Sequence, residues 1–537
     1  MKRLCWLPTI ASSFCFLVLF SAPAYAVEVG SGGMQITHQS PTAQAAGSLE
    51  LILQLPGVVA NDDQIIVTVH EPVVNEAEFL RSIEGQGLGG VLASRTVDLS
   101  DLDPDAWGLV AVEFPLSSSD KNAIRVARPG VYPMTVEMRT GSQELIGRIV
   151  THLIRLGEEI SRKLPVVLVA KIPNSPHNTD DVVALWFDVL AKHADIPVTI
   201  TLHPNLLDDI SNGDAEIGFQ NIETLHQFVH SSFVPTNEAT LEDAGLSLEL
   251  STLLELGSEH LRRLGTLAPP TLWVGHGSAD AAQVDHRWAR GIREVIVEAS
   301  SLSPVPPHAP RGPVEVLGTD ANVRALIVDR LSVKERHDTS ASQAHRLLAH
   351  LATIAFTEQP TPLIALDLSA DARDVDFAAA FLRGLSNLFL VEPVPASAAI
   401  TQSLLLEDGE LQQYRLRTRL SSTTEDFTGY REAQRHLAAF RSMIRDEDAA
   451  EHNEMAQDLL FSLSSDSSPL DQRALWESIV SNVRGQTSLI DIPPDESIQL
   501  TSQKASVPFS FQNRADIPLR VELRIIGEKL TVEDFDD

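Results

Sequence analysis

Leu164-Pro-Val-Val-Leu-Val-Ala170 is the stretch that sets the architecture. Nearly every position is apolar, so neither face of a strand built from it turns to water. Strands of that kind lie inside parallel sheets covered on both sides. The next segment, Asp180–Ala194, repeats Val182, Leu185, Trp186, Val189 and Leu190 at spacings of three and four, which predicts a helix. Pro197-Val-Thr-Ile-Thr-Leu202 reads as a second buried strand, and a further helix begins near Asn205. A strand, a helix and a second strand make the repeating unit of an α/β fold.

The rhythm continues downstream. Helix Leu248–Leu264, strand Thr271–Val274, helix Ala281–Arg290 and strand Glu294–Val297 follow in turn. Past the proline-rich loop Pro304–Pro310, strands are expected at Val314–Leu317 and Ala325–Val328. Helix Ala341–Thr357, strand Pro362–Leu366 and helix Val375–Ser386 complete the run. About seven β/α units without a glycine-rich phosphate turn favour a parallel (β/α) barrel over a dinucleotide-binding sheet. The barrel domain is assigned to residues 161–398.

Upstream the apolar period is two. Ser48–Leu55, Gln64–His70, Gly108–Phe114, Val131–Met138 and Glu144–Leu156 alternate as half-buried strands, with a short helix near Glu76–Ile83. Residues 27–160 are therefore expected to form an antiparallel β-sandwich. Beyond the barrel, residues 399–492 read as a charged helical appendage, most heavily charged over Arg431–Ala450. Ser497–Leu500, Val507–Phe511 and Leu519–Ile526 alternate again, so residues 493–537 are expected to be part of a second β-sandwich. The fold class is thus multidomain, α/β plus β.

The first 26 residues carry an address. Lys2 and Arg3 precede the apolar run Ile10–Phe20, and Ala24-Tyr25-Ala26 is a small-x-small cleavage site, the pattern of a secretory signal peptide. Cys5 and Cys15 both lie within it, so the processed chain, starting near Val27, has no thiol and no disulfide. Removing Lys2 and Arg3 takes the formal net charge from −32 to −34. A chain that acidic excludes nucleic acid as a partner, since phosphate binding needs clustered Lys and Arg. No apolar run of about 18 residues follows Ala26, so a membrane contact is expected only if a C-terminal anchor lies beyond this chain. A secreted or extracytoplasmic location at the cell envelope is expected. With 43% hydrophobic and 21% charged residues, the composition is that of a folded globular chain.

In a parallel barrel the chemistry sits where strands end at their carboxyl side. Those ends carry His177, Asp180 and Asp181; His203 with Asp208 and Asp209; His276 in Gly275–Asp280; Glu298; Asp329; and Asp367. The rim candidates singled out are His203, Asp209, His276, Glu298 and Asp367. A sugar-cleaving or deacylating enzyme uses such carboxylates as general acid and nucleophile, or with His as metal ligands. Polar residues also end strands simply to cap the next helix, and Asp180 and Asp208 fit that role. His226 and His230, four apart with Glu223 one turn earlier, have zinc-ligand spacing on an Ile222–His230 helix. Gln227 stands where a protease of that motif needs its Glu, so they are read as surface histidines. Asp285-His286 is read as a solvated helix face. There is no Gly-x-Ser-x-Gly elbow and, after processing, no cysteine nucleophile. No metal and no cofactor are assigned.

Pro129-Gly-Val-Tyr-Pro-Met-Thr-Val-Glu-Met-Arg139 resembles the stretch that closes the first domain of the DUF6049 family of exported, uncharacterised actinobacterial proteins. Pro197–Ile210, Phe377–Leu385 before Val391-Glu-Pro-Val394, and Ile498–Pro508 with Asn513 and Pro518–Arg524 are similar to that family as well. The resemblance implies an envelope role without a settled activity. It also implies a barrel like that of the glycoside hydrolase and polysaccharide deacetylase group, in which a Pro-x-Leu-Leu turn resembles Pro204-Asn-Leu-Leu207. The deacetylase Asp-Asp-Gly-Pro signature is absent, and His203 stands where members often carry Asp. Members continue to a C-terminal membrane helix; this chain stops earlier.

Two functions follow as expectations. The first is a non-catalytic envelope protein that binds cell-wall glycan or a protein partner through the barrel. The alternative is a carbohydrate-active hydrolase or deacetylase using the strand-end carboxylates and histidines, for which two carboxylates must converge in one cleft about 5–10 Å apart.

Overall fold

The computed structural model describes residues 33–44, 47–56, 60–102, 104–105, 108–116, 123–157, 163–172, 179–208, 225–275, 281–329, 339–356, 363–369, 375–407, 409–417, 426–491 and 512–520. The signal segment, Asp209, Glu223, His276 and the strands expected at Ser497–Leu500 and Val507–Phe511 lie outside them. Among the described residues no helix is long and apolar enough to cross a membrane.

The N-terminal part holds strands β1 (Gln35–Gln39), β2 (Ser48–Gln54), β3 (Gln64–His70), β4 (Val91–Asp98), β5 (Leu109–Pro115), β6 (Gly130–Arg139) and β7 (Leu145–Arg155). Helix α1 (Glu76–Ile83) lies between β3 and β4, with the Asn75 side chain accepting from Glu78 N at its start. The strands pair antiparallel in two sheets, ordered β1-β2-β5 and β4-β3-β6-β7. Their inward residues make one core, Leu49, Leu51 and Leu53 of β2 meeting Ile65, Val67 and Val69 of β3 and Met134, Val136 and Met138 of β6. Alternation of two is the reason, since every second side chain points between the sheets.

The α/β part follows: β8 (Leu164–Lys171), α2 (Thr179–Lys192), β9 (Val198–Thr201), α3 (Asn205–Asp208), β10 (Gln227–Phe228), α4 (Glu238–Asp243), α5 (Ser247–Leu264), β11 (Leu272–Val274) and α6 (Ala281–Ala289). It continues through β12 (Glu294–Glu298), β13 (Leu302–Ser303), β14 (Val314–Leu317), β15 (Asn322–Asp329), α7 (Ser340–Phe356), β16 (Ile364–Asp367), α8 (Val375–Ser386) and β17 (Val391–Pro393). Parallel pairing runs β10-β9-β8-β16-β15-β12-β11, so the first strand of the domain, β8, lies beside β16 near its end.

The expected closed barrel is not found as a continuous ladder. Between β10 and β11, among the described residues, only an isolated bridge joins Phe228 to Leu267, through Ala268 N to Phe228 O at 2.8 Å and Phe228 N to Thr266 O at 2.9 Å. β10 has two residues, and Pro269-Pro270 before β11 supplies no amide donors, so a ladder cannot extend across this seam. Val314–Leu317 also departs from expectation. It pairs antiparallel with β15, Val314 opposite Ala325, as a hairpin rather than a further β/α unit. Its turn is tied by Asp285 of α6, whose carboxylate accepts from Thr319 N at 2.9 Å and from Asp320 N and Ala321 N at 3.1 Å. Asp285 is thus tied into the fold, whereas His286 stays on the solvated face of the helix, its Nδ1 2.8 Å from Glu242 of α4.

Helix α7 is buried nearly all round, from Ser342 to Ile354. It buries His345, Arg346 and His350 along with its apolar residues because it lies between two layers, touching β1, β6 and β7 of the sandwich as well as β8 and α8. One core accordingly crosses from Phe79, Val131 and Ile154 to Leu168, Leu347 and Phe381. Residues 426–491 form helices α10 (Thr428–Met443), α11 (Ala450–Phe461) and α12 (Pro469–Thr487), with a one-turn helix α9 (Ala396–Ala399) before them. Their core around Phe440, Leu459 and Trp476 is continuous with Leu250 and Leu253 of α5, so the appendage is docked on the α/β domain. Sequence reading missed short strands there, including Gln413–Leu416, which pairs with β13 and β14.

Candidate functional site

Along β8, Val167 and Val169 point into a cluster that also takes Val229, Val274 of β11, Ile296 of β12, Val328 of β15 and Ala365 of β16. Side chains two residues further on share that face, and on these strands they are Lys171, Glu298 and Asp367. Lys171 lies opposite Thr201 of β9 in the parallel register, so Thr201 belongs to the same layer. An apolar interior thus ends, at the carboxyl tips of its strands, in a polar layer.

The layer is an ion cluster. Lys171 Nζ lies 3.2 Å from Glu298 Oε1 and 3.1 Å from Asp367 Oδ2. All three side chains are largely buried, Asp367 to 4% side-chain exposure. Two carboxylates from β12 and β16 are thereby held within reach of one ammonium. Ser369 secures Asp367 through its backbone N at 2.9 Å and its hydroxyl at 2.7 Å, and Lys171 N donates to the same hydroxyl at 2.8 Å. Ser300 Oγ donates to Glu298 Oε2 at 3.0 Å. Charges taken out of water stay ionic only when paired and hydrogen-bonded in this way. Thr201 differs from its neighbours: its Oγ1 is buried and meets no hydrogen-bond partner among the described residues.

His203 belongs to another group. Its Nδ1 lies 2.9 Å from the Ser232 carbonyl, which can only accept, so Nδ1 carries the proton. Burial pushes its pKa below the ordinary value, against the pull of that bond and of the Asp466 and Glu238 charges. The helical appendage therefore reaches this loop; Ser465 N donates to Pro235 O at 2.8 Å. Of the five rim candidates, Glu298 and Asp367 are brought together, His203 faces Ser232 and Asp466, and Asp209 and His276 fall outside the described residues.

Asp329 ends β15 near Arg311, with burial raising its pKa above the carboxylate norm. His226 and His230 correct the sequence reading, for they flank β10 rather than sharing a helix face. His226 is fully buried, its Nε2 2.9 Å from Leu190 O, and His230 Nδ1 lies 2.8 Å from Ser258 Oγ. Among the described residues no group of three or more His, Cys, Asp or Glu is arranged for a metal ion. The residue that sequence reasoning missed is Lys171. A charged residue closing an otherwise apolar strand, at the same level as Glu298 and Asp367, was the available signal.

A mixed α/β domain with a buried ion cluster at its strand tips, joined to a β-sandwich and a helical appendage, is the class this molecule represents. The family described as a family of unknown function, DUF6049, matches residues 237–532, and the chain belongs to it. No curated protein matches the chain. Among solved structures, the 4-alpha-glucanotransferase from Thermococcus litoralis is similar at 11% identity with a TM-score of 0.37, over 56% of this chain. The match spans about half of that protein, 48%.

Proposed function

We propose that this is an extracytoplasmic, envelope-associated protein that binds a cell-wall glycan or an envelope protein at its strand tips without transforming it. The α/β domain is read as a (β/α) barrel of seven strands with one open seam, its polar layer forming the mouth. The observation that carries the reading is the position of Lys171. A glycosidase keeps the space between its two carboxylates for the reacting sugar carbon or a water. Here the Lys171 ammonium occupies that space, within 3.2 Å of both. The Thr201 hydroxyl, buried without a partner among the described residues, is a group that a hydroxylated ligand would satisfy. Net charge again argues against nucleic acid and anionic polymers.

The test uses purified residues 27–537 with soluble wall fragments and detergent-solubilised envelope proteins. Binding that survives Glu298→Gln, with no turnover of the glycan, is the expected result; absence of binding to both classes removes the reading.

One observation favours a second reading, a carbohydrate-active hydrolase or deacetylase: carboxylates on β12 and β16 do converge. It requires hydrolysis that Glu298→Ala or Asp367→Ala abolishes, and unchanged turnover in both variants sinks it.

A further inference from the structure

The interface between the sandwich and the α/β domain holds three histidines whose proton positions can be worked out from their partners. His345 of α7 places Nε2 2.7 Å from the carbonyl of His152 in β7. A carbonyl only accepts, so His345 carries its proton on Nε2. The same carbonyl accepts from Gln39 Nε2 of β1 at 2.7 Å. His152 places its own Nε2 2.8 Å from Ser82 Oγ, whose hydrogen is already given to Phe79 O at 2.7 Å. The His152 proton is therefore on Nε2 as well. His350 of α7 meets Glu76 Oε1 of α1 through Nε2 at 2.8 Å. In all three rings the remaining nitrogen, Nδ1, is buried and without a partner among the described residues.

A bare ring nitrogen in an apolar site is cheap while it is only a lone pair. A proton added there becomes a buried N–H carrying a positive charge with nothing to receive it. For His350 the adjacent Glu76 carboxylate offsets that charge. For His152 and His345 the surroundings do the reverse. Packed on α7 are β1, β6, β7, β8, β17, α1 and α8. Among the described residues, the charged groups that act on the pair are Arg346 and His350 of α7 and His38 of β1, all basic. Glu76 lies behind His350, itself held by Arg311 Nη2 at 2.6 Å, with Asp329 and His308 beyond. The Phe79 ring closes the site, 4.7 Å from His152 and 4.9 Å from His350.

We propose that the His152–His345 pair is an acid-released latch between the two domains. The sandwich stays docked while both imidazoles are neutral, and proton uptake at their Nδ1 atoms detaches it. No bond is made or broken covalently; the exchanged species is the solvent proton. Burial holds His345 down to about 4 and His152 well below 6.5 in the docked state. The sign follows. A group whose docked pKa is depressed binds its proton more readily once released, so docking is favoured above about 6.5 and weakened as pH falls toward 4. One imidazole returning from about 4 to its ordinary value raises the released fraction about a hundredfold between pH 7 and pH 4.

The experiment uses the full chain. Small-angle scattering between pH 7.5 and pH 3.5 reads domain separation, and hydrogen exchange at β7 and α7, corrected for intrinsic rates, reads local release. Expected is an acid-induced expansion with loss of protection at both elements. In His152→Gln/His345→Gln, which keeps a donor at each Nε2 position but cannot titrate, the transition moves down by at least about one pH unit. His286→Gln, outside the interface, leaves it in place. Unchanged dimensions and protection down to pH 3.5, or a double variant with the parental profile, overturns the latch. Should the double variant fail to fold, the ring signals of His152 and His345 decide in the parent chain: titration near the ordinary histidine midpoint overturns it, and resistance until expansion supports it.

Discussion

Lys171 is a cation placed between two buried carboxylates, and the worth of such a residue is read by removing it. Lys171→Met takes away the ammonium and leaves Glu298 and Asp367 facing each other in a water-poor layer. The expected cost is about 3–5 kcal/mol, as for other buried ion pairs deprived of one partner. Adding Glu298→Gln and Asp367→Asn to Lys171→Met should recover most of it, because amides in the same positions carry no charge for Lys171 to balance. Denaturant unfolding of the single and the triple variant measures both numbers, and a single variant within about 1 kcal/mol of the parent would contradict the burial argument. Thr201 gives the opposite sign. Its hydroxyl is hidden from water and meets no described partner, so Thr201→Val should be neutral or stabilising by up to about 1 kcal/mol. If the strand tips hold a hydroxylated ligand, that same variant should bind it at least about tenfold more weakly. A residue that costs stability yet supports binding is the pattern expected of a site.

At the scale of elements, Gly257 shows how one helix fixes the loop of another unit. It lies in the interior of α5, where alanine would ordinarily gain about 1 kcal/mol in helix propensity. A Cβ there would stand 2.8 Å from Phe233 N and closer still to the Ser231 carbonyl, both backbone atoms that cannot swing aside. Gly257→Ala is therefore expected to destabilise by about 1–3 kcal/mol and to displace the Ser232 carbonyl that orients His203. Thermal unfolding gives the first effect, and the chemical shifts of the His203 ring give the second. The same local view explains what could be read in the chain beforehand. The strands β2, β3, β5, β6 and β7 announce themselves by alternation, and β8 by its unbroken apolar run. Helices α2, α5, α7 and α8 announce themselves by three-and-four spacing. β10 has only two residues, too few to show any period, and so His226 and His230 look helical. Val314–Leu317 alternates equally well in a parallel or an antiparallel neighbourhood, and only Asp285, distant in sequence, fixes the hairpin. For the site, Glu298 and Asp367 are legible as strand ends, whereas Lys171 reads as an ordinary solvated lysine until the register puts it between them.

For the whole molecule, two charge effects act at different ranges. The short-range one sits between domains, where His350 and Arg311 pull the Glu76 carboxyl from 4.5 down to about 2. A depressed carboxyl stabilises above its unfolded value, and that contribution is lost as pH falls from about 4.5 toward 2. Glu76→Gln should thus flatten the acid limb of the stability profile over that window while leaving the region above it parallel to the parent. The long-range effect is the imbalance of 73 acidic against 41 basic side chains. Folding gathers these charges into a smaller volume, and the self-repulsion opposes the compact state. Raising salt from 0.01 M to 0.15 M shortens the screening length from about 30 Å to about 8 Å, which silences repulsion across the surface. The buried Lys171 cluster is screened far less, so little is lost in exchange. The melting temperature at pH 7 should therefore rise by about 1 °C for each kcal/mol of repulsion relieved in a chain of this size. The gain should shrink as pH approaches 4.8, where the net charge vanishes. A melting temperature that falls with sodium chloride at pH 7 would mean that exposed ion pairs, such as Arg484–Glu432, outweigh the global field.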